Sequence, residues 1–235
     1  MAFPQDDLDL VLVPSGLLLM FAYNLFFLYR YLRFPKTTVM GVENDDKRAW
    51  VEAILQGNVD EKSVGVSVVT SNVSAATFFA SVCLTLCSLL GAWIANSPSS
   101  SNIFDSVLLF SDPKPSTAAI KHLCLILCFL VSFACFLQSA RHHVHASYLI
   151  TTPMTPRSLI DPEDVKVVVI RGGEFWSLGH RSLYFALSLL LWFFGPVPMF
   201  ASSVVLVMIL HHHDAYSIPI KRRPLGKKTQ IENKV

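Results

Sequence analysis

Histidine is the residue type in this sequence with the clearest potential for chemistry, because imidazole binds metals and exchanges protons near neutral pH. Two groups follow long apolar stretches: His142, His143 and His145, then His211, His212 and His213. Membrane di-iron oxygenases collect histidines at helix ends in this manner, but neither group has an HxxxH or HxxHH spacing. Only His142 and His145 share a helical face. A histidine-cluster oxygenase is therefore the third functional hypothesis, and the sequence predicts no metal and no cofactor.

Hydroxyl side chains form the most regular pattern in the sequence. They recur at steps of three and four within one apolar stretch, at Thr70, Ser74, Thr77, Ser81, Thr85 and Ser88. At about 100° per residue, this spacing places them along one face of a helix. In a membrane, such a face either lets helices approach closely or lines a path for a polar solute. Helix packing is the preferred interpretation of this hydroxyl stripe.

The composition predicts that these residues belong to a membrane protein. Apolar residues make up 52% of the 235 positions and charged residues only 15%, against roughly a quarter in soluble chains. A water-soluble fold has nowhere to bury so much apolar surface. We therefore expect an all-α, polytopic protein of the plasma membrane or an endomembrane. Its first partner is the lipid bilayer, and no nucleic-acid partner is expected.

Four apolar stretches are long enough to cross a hydrocarbon core about 30 Å thick. They cover residues 8–32, 66–95, 117–137 and 182–210, within one transmembrane domain (1–217) that precedes a basic flexible tail (218–235). Charges stand only near the ends of the stretches, as Arg30 and Arg181 do, where long side chains can extend to lipid headgroups. The scarcity of charges inside the stretches argues against a proton-driven pump or transporter.

The basic residues pose a problem of topology. They cluster after the first stretch and between the third and fourth, which predicts that both connections face the cytosol. Six basic residues in the tail favour the same side, yet four complete crossings place the tail opposite. A hinge at Gly195, Pro196 and Pro198 offers a solution, because proline kinks or breaks a helix. The fourth stretch is then either one kinked span, which we prefer, or a re-entrant hairpin.

Two short helices are predicted to lie at the membrane surface. The first runs over residues 47–56, with Asn44 in the cluster that caps its start and Gly57 closing its end. The second starts at Asp161, an N-cap residue, followed by Pro162 at the first helical position.

Three segments resemble the plant and bacterial membrane family catalogued as domain of unknown function 599. They are residues 50–55 (WVEAIL), 139–153 (SARHHVHASYLITTP) and 179–197 (GHRSLYFALSLLLWFFGPV). The last is the most specific, because Arg181, Tyr184, Trp192, Gly195 and Pro196 follow the family's pattern in order. The resemblance implies a four-span membrane protein of plant origin with no assigned activity and no catalytic residues. The histidines at positions 142, 143 and 145 depart from the pattern, which counts against a family-wide metal site.

Arg141 and Arg181 match the family's pattern at the ends of spans. Each can anchor its helix to lipid phosphates. The sharper hypothesis is that both together bind an anion or a lipid headgroup between the third and fourth spans.

The leading functional hypothesis is an interaction, scaffold or accessory component of a membrane complex, working as a homo-oligomer or with another membrane protein. The alternative is a channel or passive transporter whose pathway follows the hydroxyl stripe. Neither interpretation involves catalysis, so we predict that the protein is not an enzyme.

Overall fold

The computed structural model describes residues 5–96, 117–152 and 161–214, and these residues form a helical bundle. Six helices follow one another: α1 (Gln5–Arg33), α2 (Val39–Gln56), α3 (Val59–Ala95), α4 (Thr117–Thr151), α5 (Pro162–Leu191) and α6 (Pro196–Asp214). Short 3-10 turns at Pro35–Thr37 and Trp192–Phe194 precede α2 and α6. The predicted all-α class is confirmed, while the predicted tail, residues 218–235, lies outside the described residues.

Among the described residues, four helices are long and apolar enough to cross a membrane: Val11–Arg33 in α1, Val59–Ala95 (α3), Ile120–Thr151 in α4 and Pro196–Asp214 (α6). The protein is therefore an integral, multi-pass membrane protein. Apolar side chains are exposed on the outside of the bundle, as Leu18 on α1 and Phe78 on α3 are. Such side chains suit a surface that faces lipid rather than water.

The fourth predicted stretch, residues 182–210, is not one helix. α5 ends at Leu191, and Gly195, with a φ of +132°, lets the chain reverse before α6 begins. The two helices pack in antiparallel order, since Ser188 contacts Ser202 while Arg181, earlier in α5, binds Asp214 at the end of α6. The preferred prediction of a single kinked span is wrong. The proline-rich sequence ends one helix and starts another, because proline fits the first turn of a helix but not its interior.

The reversal removes the conflict in the charge distribution. α3 and α4 are antiparallel, because Cys83 lies beside Ser132 while the later Trp93 lies beside the earlier His122. α1 and α6 run in the same direction, because Gly16 lies beside Ser203 and Tyr23 bonds Asp214. The ends of α1, α4 and α6 therefore lie at one end of the bundle. Asp214, after which the sequence becomes basic, lies at the same end as Arg30 and Arg33 in the last turn of α1. That arrangement agrees with the positive-inside rule.

Neither of the two predicted surface helices has the predicted bounds. α2 starts at Val39, eight residues before the predicted start, because Thr38 rather than Asn44 caps it, with its side chain accepting the amide N–H of Gly41. Gly57 ends α2 as predicted. Asp161 does cap a helix with Pro162 in the first turn. That helix is α5, which continues for 30 residues instead of stopping at the surface.

Three apolar clusters hold the described helices together, and two of them lie towards opposite ends of the bundle. The first joins α1, α3, α4, α5 and α6 through Val13, Leu90, Leu125, Leu189 and Met199. The second fastens α2 to α3, α4 and α5 through Val51, Val69, Ile150 and Val165. Because α2 belongs to this buried cluster, it is a structural layer of the bundle rather than a loosely attached helix.

α4 and α5 approach each other closely along their length. Ser139 donates a hydrogen bond to the backbone carbonyl of Gly172 (2.7 Å), and Ser132 donates to that of Gly179 (2.8 Å). A Cβ atom at Gly179 would lie 2.9 Å from the ring of Phe136. Small residues at a helix interface permit this approach and let hydroxyl groups bond across it.

Candidate functional site

An ion pair lies inside the bundle where α1, α5 and α6 meet. Arg181 donates to Asp214 (Nη2 to Oδ1, 2.6 Å) and to Asn24 (Nη1 to Oδ1, 3.1 Å). Tyr23 donates its hydroxyl to the other oxygen of Asp214 (2.8 Å). The guanidinium of Arg181 also stacks 3.7 Å from the centre of the Phe27 ring. Every partner comes from another helix, so the site exists only in the folded bundle.

The two charged side chains of this pair are largely buried. The side chain of Arg181 is 12% exposed and that of Asp214 is 15% exposed. Asp214 stands at the carboxyl end of α6, where the helix dipole disfavours a negative charge. Arg181 and Tyr23 offset that cost. Charges held inside a membrane protein are costly, and they commonly mark binding sites or pathways.

A polar cavity of about 300 Å³ opens beside this pair. Its walls come from α1, α2, α5 and α6, and its charged residues form two ion pairs. Glu43 and Lys47 of α2 contribute one pair (2.9 Å), and Arg181 and Asp214 contribute the other. A volume of this size is at the lower end of the range for small-molecule sites. The cavity therefore combines room for a ligand with charges of both signs.

Aromatic and hydroxyl side chains complete the polar cavity. They are Phe27, Trp176, Ser177, His180, Tyr184 and His213. Trp176 and His180 are in contact, with ring centres 4.5 Å apart. Rings in this arrangement offer faces to a cation and edges to polar groups.

An apolar groove of about 460 Å³ adjoins the polar cavity on the outside of α1 and α5. Its walls include Phe21, Leu25, Leu28 and Leu178, each at least 48% exposed. Arg181 lines both the groove and the polar cavity. The two spaces therefore share a largely buried charge in a common wall, with polar lining on one side and exposed apolar lining on the other.

A smaller side chamber of about 120 Å³ lies between α2, α3, α4 and α5. It shares Lys47 and Trp176 with the polar cavity and adds Asn72 and His143. His143 is buried, and its Nδ1 bonds the backbone carbonyl of Ser139 on its own helix (2.8 Å). The imidazole lies against α5, where a Cβ atom at Gly172 would be 2.6 Å from Cε1 and 2.8 Å from Nδ1 of the ring.

The predicted hydroxyl stripe lies on the outer surface of the bundle. All six residues are exposed: Thr70, Ser74, Thr77, Ser81, Thr85 and Ser88. Five of the hydroxyls donate to backbone carbonyls four residues earlier, as Ser81 does to Thr77 (2.9 Å). The stripe neither packs against another described helix nor borders any of the three spaces described above. Its regularity predicted a shared face, but could not show whether that face pointed inwards or outwards.

Arg141 and Arg181 do not form the predicted joint anion site. Pairing of Ser139 with Gly172 and of Cys128 with Ser182 fixes the register of α4 on α5. In that register Arg141 lies roughly 15 Å along the bundle from Arg181. Arg141 is exposed, whereas Arg181 turns inwards to Asp214. Asp214 and Asn24 hold Arg181 inside the bundle, so its side chain does not extend outwards as that of Arg141 does.

The histidine groups occupy different parts of the molecule. His143 lines the side chamber and His213 the polar cavity, while His142 stacks on Phe175. Among residues 5–96, 117–152 and 161–214, no group of three or more histidine, cysteine, aspartate or glutamate side chains could hold a metal ion. The hypothesis of a histidine-cluster oxygenase gains no support from this arrangement.

Several residues of the site were not predicted as site residues from the sequence. Asp214, Glu43 and Lys47 do not stand out in the sequence as site residues. One signal was available: an arginine that lies well inside a long helix and precedes an apolar run requires a counter-ion. Recognising it would have required the true start of α5 at Pro162.

The fold and the site together define a multi-pass α-helical membrane protein with a charged cavity at the meeting point of α1, α2, α5 and α6. The sequence matches the family model described as "Protein of unknown function, DUF599" over residues 11–218. The chain belongs to that family, as the resemblance predicted. No curated protein and no solved structure matches the chain. Plant origin stays a prediction, since the family match does not bear on the source.

Proposed function

We propose that the protein is a non-catalytic component of the membrane that binds a small polar group in the cavity beside Arg181. One observation carries the proposal: Arg181 is 12% exposed, is held by Asp214, and lines a cavity of about 300 Å³. Concave sites with a few convergent polar groups are where proteins bind small ligands. A purely structural ion pair would not need an open cavity beside it.

Binding fits the charges of the cavity better than catalysis does. Glu43 is paired with Lys47, and Asp214 with Arg181. A general acid or base needs a proton that it can exchange near the working pH. Each carboxylate of the cavity already has a cationic partner, an arrangement that suits contact with the polar atoms of a ligand. That the protein is not an enzyme stays a prediction.

A substitution that blocks the cavity with an aromatic side chain tests the proposal. Ser177 lines both the polar cavity and the groove, so Ser177→Phe places a bulky side chain where the two spaces meet. We expect wild-type protein, purified in mild detergent, to retain a bound small molecule in native mass spectrometry. The S177F variant should retain at least tenfold less. Equal occupancy in both proteins, or no bound mass in either, would contradict the proposal.

A matched control separates blocking from misfolding. Ser15 is an exposed serine of α1 that lines neither space. The S15F variant carries the same change of side chain and should keep wild-type occupancy. The melting temperatures of both variants should stay close to that of the wild type.

Self-association through the outer face of α3 is a second candidate function. The exposed hydroxyl stripe favours it, because small side chains that bond their own backbone let a second helix approach closely. Such assembly would agree with an accessory role in a membrane complex. The channel hypothesis, in turn, would need several copies arranged around this face, since the stripe borders no space within one chain.

Leucine substitutions in the middle of the stripe test this second candidate. We expect Thr77→Leu with Ser81→Leu to convert oligomers of the purified protein to monomers, measured by native mass spectrometry, without a change in melting temperature. Wild-type protein that is monomeric at every concentration would exclude self-association. Solute flux through liposomes that the double variant abolishes would favour the channel hypothesis instead.

A further inference from the structure

We infer that the ligand is a zwitterionic phospholipid of the surrounding bilayer, with its headgroup in the polar cavity and one acyl chain in the apolar groove. The inference rests on the proposed function, because it names the chemical class that the same cavity takes. It adds a second element, the groove, which the proposed function does not use.

The polar cavity and the apolar groove together fit a ligand that has a polar part and an apolar part. The polar cavity, about 300 Å³, and the groove, about 460 Å³, share Phe27, Met40, Ser177 and Arg181 as common walls. A molecule that fills both must be polar at one end and apolar at the other, with the junction beside Arg181. A phospholipid is such a molecule, with its phosphate at the junction.

The groove is positioned to receive an acyl chain directly from the membrane. Its walls on α1 belong to the segment Val11–Arg33, which is long and apolar enough to cross a membrane. Leu25 is 53% exposed and Leu32 is 71% exposed, so the groove is open on the outside of the bundle. A lipid can therefore enter sideways from its own leaflet without leaving the bilayer.

The charges of the polar cavity favour a headgroup that carries both signs. Lys47 and Arg181 can each donate to a phosphate, as lysine and arginine commonly do. Glu43 and Asp214 are then available to an ammonium group, and Trp176 offers it an aromatic face. An anionic headgroup without an ammonium group would add a negative charge to a cavity in which Lys47 and Arg181 already balance the two carboxylates. The pairing of opposite charges thus selects a zwitterion over a simple anion.

Titration of delipidated protein with short-chain lipids tests the inference. The probes are dioctanoyl phosphatidylethanolamine, dioctanoyl phosphatidylglycerol, dihexanoyl phosphatidylethanolamine and glycerophosphoethanolamine, which has no acyl chains. Native mass spectrometry of the full chain in detergent gives the affinities. We expect the dioctanoyl zwitterion to bind at least tenfold more tightly than the anionic lipid.

The length of the acyl chains on the probe lipids tests whether one of these chains binds in the groove. Each buried methylene contributes roughly fourfold in affinity, so one chain in the groove predicts at least tenfold weaker binding of the dihexanoyl lipid. Glycerophosphoethanolamine should bind at least a hundredfold more weakly than the dioctanoyl lipid. The S177F variant should lose at least tenfold in affinity for the dioctanoyl zwitterion, and the S15F variant should not.

The outcomes separate the two proposals. If glycerophosphoethanolamine binds as tightly as the lipid and S177F blocks it, the cavity takes a free polar molecule. The phospholipid is then excluded while the proposed function stands. If phosphatidylglycerol binds as tightly as phosphatidylethanolamine, the selection for a zwitterion is wrong. If S177F changes the binding of none of the four probes and of no co-purified molecule, both proposals fail.

Discussion

Replacing Asp214 by leucine is expected to lower the free energy of unfolding by about 3 kcal/mol. The substitution leaves Arg181, with a side chain only 12% exposed, without its carboxylate partner. Removal of one member of a largely buried ion pair is costly because the remaining charge is no longer compensated. Tyr23 also loses the acceptor of its hydroxyl. Thermal unfolding in detergent, followed by circular dichroism, measures the change.

A control and a double variant make this result specific. Asp46 on α2 is exposed, so Asp46→Leu should change the free energy of unfolding by less than about 0.5 kcal/mol. Combining Asp214→Leu with Arg181→Met replaces the ion pair by apolar groups and should restore more than half of the loss. Equal effects of D214L and D46L would show that the ion pair contributes little to the stability of the bundle.

Replacing Gly179 by leucine is expected to lower the free energy of unfolding by about 3 kcal/mol or more. The substitution should also loosen the packing of α4 on α5. Even a Cβ atom at this position would lie 2.9 to 3.1 Å from the ring of Phe136, which is fully buried. The backbone of Gly179 also accepts the hydrogen bond of Ser132. Overpacking of a dense interface forces its neighbours off their preferred rotamers or pushes the helices apart. Thermal unfolding gives the loss of stability.

Gly91 on α3 provides the matched control for this substitution. A Cβ atom at Gly91 would meet no other atom within 4 Å. Gly91→Leu should therefore leave the melting temperature close to that of the wild type, since it adds the same side chain to a helix where space is open. If G179L were as stable as G91L, the close approach of α4 and α5 would not be a determinant of the fold.

Much of the architecture was predictable because it depends on local properties of the chain. The apolar stretches indicated membrane helices, since length and hydropathy are properties of one segment. Asp161 followed by Pro162 indicated a helix start, and Gly57 indicated a helix end. The steps of three and four also placed the hydroxyl stripe correctly on one face of α3. Each of these signals acts within a few residues.

The end of α5 shows where local signals stop being sufficient. Gly195, Pro196 and Pro198 indicated a break, but a break is compatible with a kink and with a reversal. Contacts between distant residues, such as the bond between Arg181 and Asp214, show that the chain reverses. Once the chain reverses, Arg181 lies beside the last residue of α6 and turns inwards to it.

The sequence by itself determined the class of protein, most of the helices and the residues that share each helical face. Only the tertiary structure decided which face is buried, which charge meets which, and where space is left between helices. The hydroxyl stripe and Arg181 illustrate the difference: one turned out to face outwards and the other inwards. The physical reason is that helix formation depends on neighbouring residues, whereas packing and ion pairing depend on segments that meet only after the chain has folded.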